Sequence, residues 1–411
     1  MRRLGRWLAL VVVLGVVQAA PGAAQEPPSQ EPPGTVPDSV VDRALIHAGP
    51  FFLHPTLALR DIGIDSNVFN ASENPQEDFT LTLVPALSGG FRIGPVRLLI
   101  VDTVEYVWYK ELSSERSVNG GLAGKFEVRW NRLRPFVDVQ ALRTQARKGD
   151  EIDARAPRSE PTYGGGMDLG IASRTWLTLE YQYRETRYDS GASYQYVPLD
   201  QALNERTRTA SVGMRFELSP LTRLEVTGRL EKVRFATSTF RDNDSYLVSG
   251  AFTFDPDALL AGSASVGYRN LQARTEGTPD FRGVTARVAL TYTGLPATRF
   301  SVGVSRDIAY SYEDQYAYYV GSETSASVTQ NVVGPVELVA RGRLAWLDYR
   351  GTVGPAPERR DRVDSYGGGL GFRLGDASRL GFEAEWVERR SDVPDRNYKG
   401  LRLFGSITYG F

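Results

Sequence analysis

Apolar and polar residues alternate along most of the chain after residue 50. In one segment Val212, Met214 and Phe216 are apolar, whereas the intervening Arg215 and Glu217 are charged. Successive side chains of a β-strand point to opposite faces, so this pattern predicts strands with one apolar face and one polar, charged face.

Short turns recur about every forty residues and separate these strands into pairs. They are centred near Pro95, Asn131, Ser173, Pro220, Pro256, Leu295, Gly334 and Asp376. Longer polar connections lie between them, at 65–78, 111–118, 147–160, 189–205, 236–243, 272–280, 313–316, 351–361 and 391–396. The pattern predicts about 18 antiparallel strands in up-and-down order, from Phe52 to Phe411.

Two all-β architectures fit such alternation, a transmembrane barrel and a soluble sandwich. A mean hydropathy of -0.30 is typical of a soluble protein. In a barrel wall, however, only every second residue faces lipid, so the average hydropathy stays low. Predicted strands of about twelve or more residues, against the usual five or six, favour the membrane barrel. We therefore expect a transmembrane β-barrel with short periplasmic turns and longer extracellular loops.

The first fifty residues are predicted to lie outside the barrel. Residues 1–24 combine Arg2 and Arg3 with a short apolar run and small residues ending at Ala24, which is typical of a cleaved signal peptide. Residues 25–50 are rich in proline and predict a periplasmic linker. The barrel is expected at 51–411. With this topology both termini are predicted to be periplasmic. Beyond the signal peptide the chain has no run of 18 apolar residues, so no transmembrane helix is predicted.

Aromatic residues cluster towards both ends of the predicted strands, which predicts two aromatic girdles at the membrane interfaces. The group near the long loops is Tyr106, Trp108, Tyr183, Tyr188, Tyr310, Tyr312, Trp346, Tyr349 and Trp386. The group near the short turns is Trp130, Trp176, Phe216, Phe254, Tyr292, Phe300 and Tyr409.

Charged residues at the polar positions of the alternating strands are candidates for the inner wall of a water-filled lumen. They are Glu180, Arg184, Arg215, Glu217, Glu225, Arg229, Arg287, Arg341, Arg343, Glu383, Glu385 and Arg402. Because both signs are interspersed, we expect pairing across neighbouring strands more than acids tuned for catalysis.

Composition argues against several other kinds of chemistry. The chain has no Cys and only two His, His47 and His54, so thiol catalysis and a Ser-His-acid site are disfavoured. A net charge of -1 gives no reason to expect nucleic-acid binding. We expect no enzymatic activity and no cofactor.

Acidic clusters in the loops are candidate calcium sites, since calcium takes oxygen ligands. One comprises Asp61, Asp65 and Asn67, a second Asp150, Glu151 and Asp153, and a third Asp242 and Asp244. None has the spacing of a twelve-residue calcium loop. The sequence therefore predicts solvated loop tips and no metal site.

Two segments carry a resemblance to known proteins. Gly49-Pro50-Phe51, His54-Pro55-Thr56-Leu57 and Ile64-Asp65-Ser66-Asn67-Val68-Phe69 resemble the opening of the putative β-barrel porin 2 family, although Ile64 stands where an aromatic is common. The alternating C-terminus, which ends in Tyr409 and Phe411, resembles the signal recognised by the outer-membrane barrel-assembly machinery. The first resemblance implies an outer-membrane barrel, often linked to exopolysaccharide or capsule secretion.

The sequence predicts an integral outer-membrane porin, in contact with membrane lipid and lipopolysaccharide, for passive diffusion of small polar solutes. Mixed lumen charges predict weak ion preference. Two alternatives stay open: a pore that exports exopolysaccharide, and a non-conducting structural or adhesive barrel. Against the last, the connection around 194–203 looks short for complete closure. No apolar patch identifies an oligomer contact.

Overall fold

A computed structural model describes residues 44–351, 358–375 and 378–410. Eighteen long strands, each of 12–18 residues, form the wall. They are β1 (Phe51–Asp65), β2 (Asp78–Ile93), β3 (Val96–Tyr109), β4 (Ser117–Val128), β5 (Leu133–Thr144), β6 (Arg158–Ala172), β7 (Thr175–Tyr188), β8 (Glu205–Ser219), β9 (Thr222–Phe235), β10 (Asn243–Phe254), β11 (Leu260–Ala273), β12 (Phe281–Leu295), β13 (Thr298–Tyr310), β14 (Tyr316–Val333), β15 (Val336–Gly351), β16 (Arg360–Arg373), β17 (Ser378–Arg390) and β18 (Tyr398–Tyr409).

Every strand pairs antiparallel with its neighbour in the chain, and β1 pairs with β18 to close the sheet. The closing register includes Leu57 opposite Tyr409 and Asp65 opposite Arg402. The predicted all-β, closed, 18-stranded barrel is therefore confirmed. A short strand, Ile46–Ala48, pairs with the start of β1.

Connection lengths alternate as the sequence predicts. The turn between β2 and β3 comprises only Gly94 and Pro95, whereas 145–157 and 189–204 join strands at the opposite end. The longer of these carries the five-residue helix α1 (Leu199–Leu203). The turn predicted near Asp376 falls at 376–377, outside the described residues, as do 1–43 and Phe411. Within the described ranges, no helix is long and apolar enough to cross a membrane.

The pairing register assigns side chains to the two faces of the wall, because directly opposed residues share a face. Val212 pairs with Leu179 and lies on the outer, apolar face, where half of its surface is exposed. The adjacent Ser211 pairs with Glu180 on the inner face. Apolar side chains thus face outwards along the strands and polar ones face the lumen.

Several aromatics assigned to the girdles lie inside the barrel, which corrects the sequence prediction. Tyr188 and Tyr312 belong to a buried apolar cluster, and Tyr349 to another. Trp176 faces inwards and lies under the guanidinium of Arg134 at 3.7 Å. The position of an aromatic residue along its strand predicts its height in the membrane. Whether its side chain faces the lipid or the lumen depends on whether it falls on the outward or the inward set of alternating residues.

The hydrogen-bonded ladder between β12 and β13 ends before the two strands do. Their register runs from Leu295 opposite Thr298 up to Ala286 opposite Arg306 and stops there, although both strands continue. Above this point β13 pairs only with β14, up to Tyr310 opposite Tyr318. At this level the aromatic ring of Tyr318 on β14 packs edge-on against that of Phe281 on β12, with 6.4 Å between the ring centroids.

Candidate functional site

The connection between β5 and β6, residues 145–157, reaches across the lumen; we call it the crossing loop. Its Asp150 carboxylate lies 2.5 Å from a guanidinium nitrogen of Arg343 on β15, the strand opposite β6 in the barrel. Its Asp153 carboxylate lies 2.9 Å from Arg389 on β17. A loop anchored to one wall and ion-paired to the other divides the lumen at the long-loop end.

The crossing loop is packed as well as paired. Ile152 is 3% exposed and joins an apolar cluster with Leu199 and Leu203 of α1, Phe235 of β9 and Tyr312 of the β13–β14 connection. Burial of such side chains contributes about 1.5–3 kcal/mol each when complete. The loops therefore share a small core of their own inside the barrel mouth.

A buried ionic network surrounds this core. Asp361 accepts hydrogen bonds from Arg389 at 2.5 Å and from Arg359 at 2.7 Å. Arg359 also pairs with Glu313 at 2.7 Å, and Arg396 donates to the Tyr312 hydroxyl at 2.7 Å. Removing one partner of a buried pair leaves an uncompensated charge, so each link holds the loops strongly in place.

Glu151 is the exception among the acids of the crossing loop, because its carboxylate forms no salt bridge with any residue that the structure describes. It is 1% exposed and accepts a hydrogen bond of 2.5 Å from the hydroxyl of Ser311. Burial raises the pKa of Glu151 to about 7, against the lowering effects of Ser311 and the nearby Arg396. Its charge state therefore changes near neutral pH.

These acids were predicted to be solvated loop tips, and that interpretation is wrong. Glu151 and Asp153 are both buried. The signal in the sequence was weak, because the arginines that pair with Asp150 and Asp153 lie about two hundred residues further along the chain. Among the described residues, no group of three or more His, Cys, Asp or Glu side chains could hold a metal ion.

A ladder of charges continues down the inner wall on the β15–β18 side. Arg341 lies 2.5 Å from Glu383 and 3.9 Å from Glu385. Arg402 lies 3.7 Å from Glu385 and 3.2 Å from Asp65. Each cation is thus shared between two carboxylates.

A glycine in the intervening strand permits this arrangement. Gly367 of β16 stands opposite both Arg341 of β15 and Glu385 of β17. A Cβ at Gly367 would lie 3.0 Å from the Arg341 Nε. The missing side chain leaves room for the arginine to reach over β16 to Glu383.

The register places the remaining predicted lumen residues on the inner parity as well. Arg215 pairs with Asp168 at 2.9 Å, and Arg343 contacts Glu323 at 2.7 Å in addition to Asp150. On the register, Glu180 lies opposite Ser211, Arg184 opposite Thr207, Glu217 opposite Arg223, Glu225 opposite Arg215, Arg229 opposite Ser211 and Arg287 opposite Ser265.

A solved structure shares the fold at low sequence identity. OccK2 (OpdF) of Pseudomonas aeruginosa, solved in complex with glucuronate, matches with a TM-score of 0.50 at 12% identity, over 87% of this chain and 98% of that one. A BenF-like porin from Pseudomonas fluorescens Pf-5 has a TM-score of 0.49 at 12% identity, over 87% and 99%. Acinetobacter baumannii OccAB3 has a TM-score of 0.46 at 13% identity, over 87% and 99%.

Among curated proteins, none matches the sequence. The family described as putative beta-barrel porin 2 matches residues 42–410, which is nearly all of the chain beyond the predicted signal peptide and linker. The match covers the opening of β1, where the sequence resemblance lies, and all eighteen strands of the wall. The chain is an integral outer-membrane barrel that belongs to the putative beta-barrel porin 2 family.

Proposed function

We propose that this barrel is a passive channel for small polar solutes, narrowed at its long-loop end by the crossing loop. The observation that carries the proposal is a closed wall of 18 strands with a polar, charged inner face. A barrel of this size is too wide for wall side chains to fill, so an aqueous path is expected beside the loops.

Orientation follows from the connections. Short turns of bacterial outer-membrane barrels face the periplasm and long loops face outwards. On this basis the crossing loop lies at the external mouth and both termini lie in the periplasm. Tyr409 at the end of β18, with Phe411 outside the described residues, stays the predicted signal for the assembly machinery.

The packed loops at the barrel mouth restrict which solutes can pass through the lumen. A polysaccharide chain needs a continuous wide path, whereas the crossing loop joins both walls through Asp150 and Asp153. This arrangement supports passage of small solutes over polymer export. It also favours a second candidate, a non-conducting structural barrel, because the loops share a buried apolar core.

Conductance separates the two candidates. Purified full-length protein in a planar bilayer with potassium chloride is expected to give stepwise current. Asp150→Asn combined with Asp153→Asn cuts the ties to Arg343 and Arg389 and should increase step size or open time. Glu111→Gln, at an exposed loop position, is the matched control and should behave as wild type. No current in the wild type or the double variant, with folding verified, supports the non-conducting barrel.

A further inference from the structure

The outer face of the barrel carries a cationic cleft at the long-loop end, across β15, β16 and β17. Its volume is about 410 Å³. It is lined by Trp346, Arg360, Arg362, Arg390, Ser391 and Asp392. The register places Trp346 and Arg362 on the outward parity, directly opposite each other. The cleft therefore opens towards lipid and solvent, away from the lumen.

Each arginine of the cleft is held from one side by a carboxylate. Arg362 pairs with Asp364 at 2.7 Å, Arg390 pairs with Glu388 at 3.0 Å, and Arg360 pairs with Asp348. The side chain of Arg360 is 68% exposed and that of its partner Asp348 is 17% exposed. For Arg362 and Asp364 the values are 39% and 5%. For Arg390 and Glu388 they are 62% and 34%. The acids thus lie deeper and the cations face outwards.

A guanidinium has five N–H donors, and one carboxylate engages two at most. All three arginines line the cleft, so each has further donors to offer a ligand there. Phosphate oxygens match this geometry, because a planar guanidinium binds them through two parallel hydrogen bonds. The deeper carboxylates fix the arginine rotamers before the ligand arrives.

Stability alone does not account for this cluster. Exposed ion pairs contribute little to folding, with a median of about 0–1 kcal/mol. Towards the short-turn end of the same three strands, outward positions are apolar, as at Leu338, Leu370 and Phe382. The outward cations of this sector therefore lie at the long-loop end of the wall, where the cleft is.

We propose that this cleft binds the phosphate groups of a phosphorylated glycolipid of the outer leaflet, that is, lipopolysaccharide. Trp346 lies on the membrane side of Arg360 and contacts the lipid part, since indole rings favour the headgroup boundary. The site rests on the orientation given in the proposed function, with the long loops outwards, but it is independent of conductance.

The test measures lipid retained by the purified full-length protein. Wild type and the triple variant Arg360→Gln, Arg362→Gln, Arg390→Gln are delipidated and titrated with lipopolysaccharide, and bound lipid is counted by native mass spectrometry. Each basic group near an anionic lipid surface contributes about a fivefold factor, so the triple variant should bind at least tenfold more weakly. Heat-modifiable migration on gels verifies that the variant is folded.

A matched control removes the same charge elsewhere on the rim. Arg187→Gln, Arg206→Gln, Arg208→Gln removes three positive charges from β7 and β8 at positions that do not line the cleft, and it should retain wild-type binding. Equal loss in both variants would overturn the proposal, because binding would then follow rim charge alone. Competition by inorganic phosphate or phosphatidylglycerol vesicles equal to that by lipopolysaccharide would overturn the glycolipid assignment. Normal conductance alongside lost lipid binding keeps this test separate from the channel proposal.

Discussion

At the scale of single residues, Glu151 differs from the other acids of the crossing loop. Asp150 and Asp153 each face an arginine of the far wall, so their charges are compensated. Glu151 is buried beside Ser311, with Arg396, Glu313 and Arg359 as the surrounding charged groups. Its pKa of about 7 means that the buried carboxyl is protonated in weak acid and ionised in weak base.

This titration predicts a pH-dependent mouth. The pKa of Glu151 is raised in the folded loop, so its stabilising contribution is complete below the unfolded value near 4.5 and is lost as pH rises to about 7. We expect conductance or open time to increase between pH 5 and pH 8. The measurement is single-channel recording across that range.

Glu151→Gln imitates the protonated form and should give a flat profile at the low-pH level. Glu111→Gln is the control and should keep the wild-type slope, since Glu111 is 72% exposed. An unchanged slope in Glu151→Gln would assign the pH response to another group.

At the scale of elements, the sequence predicts which strands pair, but it does not predict which side chains of the loops meet inside the lumen. Alternation and turn spacing located the eighteen strands, because every strand obeys the same local rule of one face to lipid. The crossing loop carries no such periodicity. Its position depends on partners such as Arg343 and Arg389, which come close only after the sheet has closed.

The glycine-rich stretch of β16 gives an element-scale prediction. Gly367→Val should clash with Arg341 and break its reach to Glu383, since the added Cβ meets the arginine Nε at 3.0 Å. Overpacking of this kind costs about 1–3 kcal/mol. Urea unfolding of vesicle-inserted protein measures the loss. Gly250→Val on β10 is the control, because a Cβ there has no neighbour within 4 Å. Equal effects of the two variants would contradict the assigned role of Gly367.

The interruption between β12 and β13 gives a second element-scale prediction, and the absence of native cysteines makes it simple to test. If the register continued upwards, Val284 would stand opposite Ile308, but the structure has no ladder there. The double variant Val284→Cys, Ile308→Cys should form a disulfide slowly or not at all under mild oxidation. Val266→Cys, Ala286→Cys, at a paired position on β11 and β12, should form one readily. Rapid cross-linking of both pairs would show a continuous wall.

At the scale of the whole molecule, arginines and carboxylates pair along the inner wall. Arg341, Arg343 and Arg402 each contact at least one carboxylate. A solute entering the lumen therefore meets alternating signs at close range and a small net potential. Discrimination by size at the crossing loop should exceed discrimination by charge.

That pairing predicts a reversal potential near zero in a salt gradient. For a tenfold potassium chloride gradient, an ideally selective pore has a reversal potential of about 59 mV. The reversal potential of the wild type, whether positive or negative, should be well under half of that value. Arg341→Gln, Arg343→Gln, Arg402→Gln leaves Glu383, Glu385 and Glu323 uncompensated in the lumen, so the potential should shift towards cation selectivity. The cleft variant Arg360→Gln, Arg362→Gln, Arg390→Gln removes the same charge from the outer face and should leave the potential unchanged. A strong wild-type preference, or equal shifts in both triple variants, would mean that the wall charges identified in the lumen do not set the field along the pore.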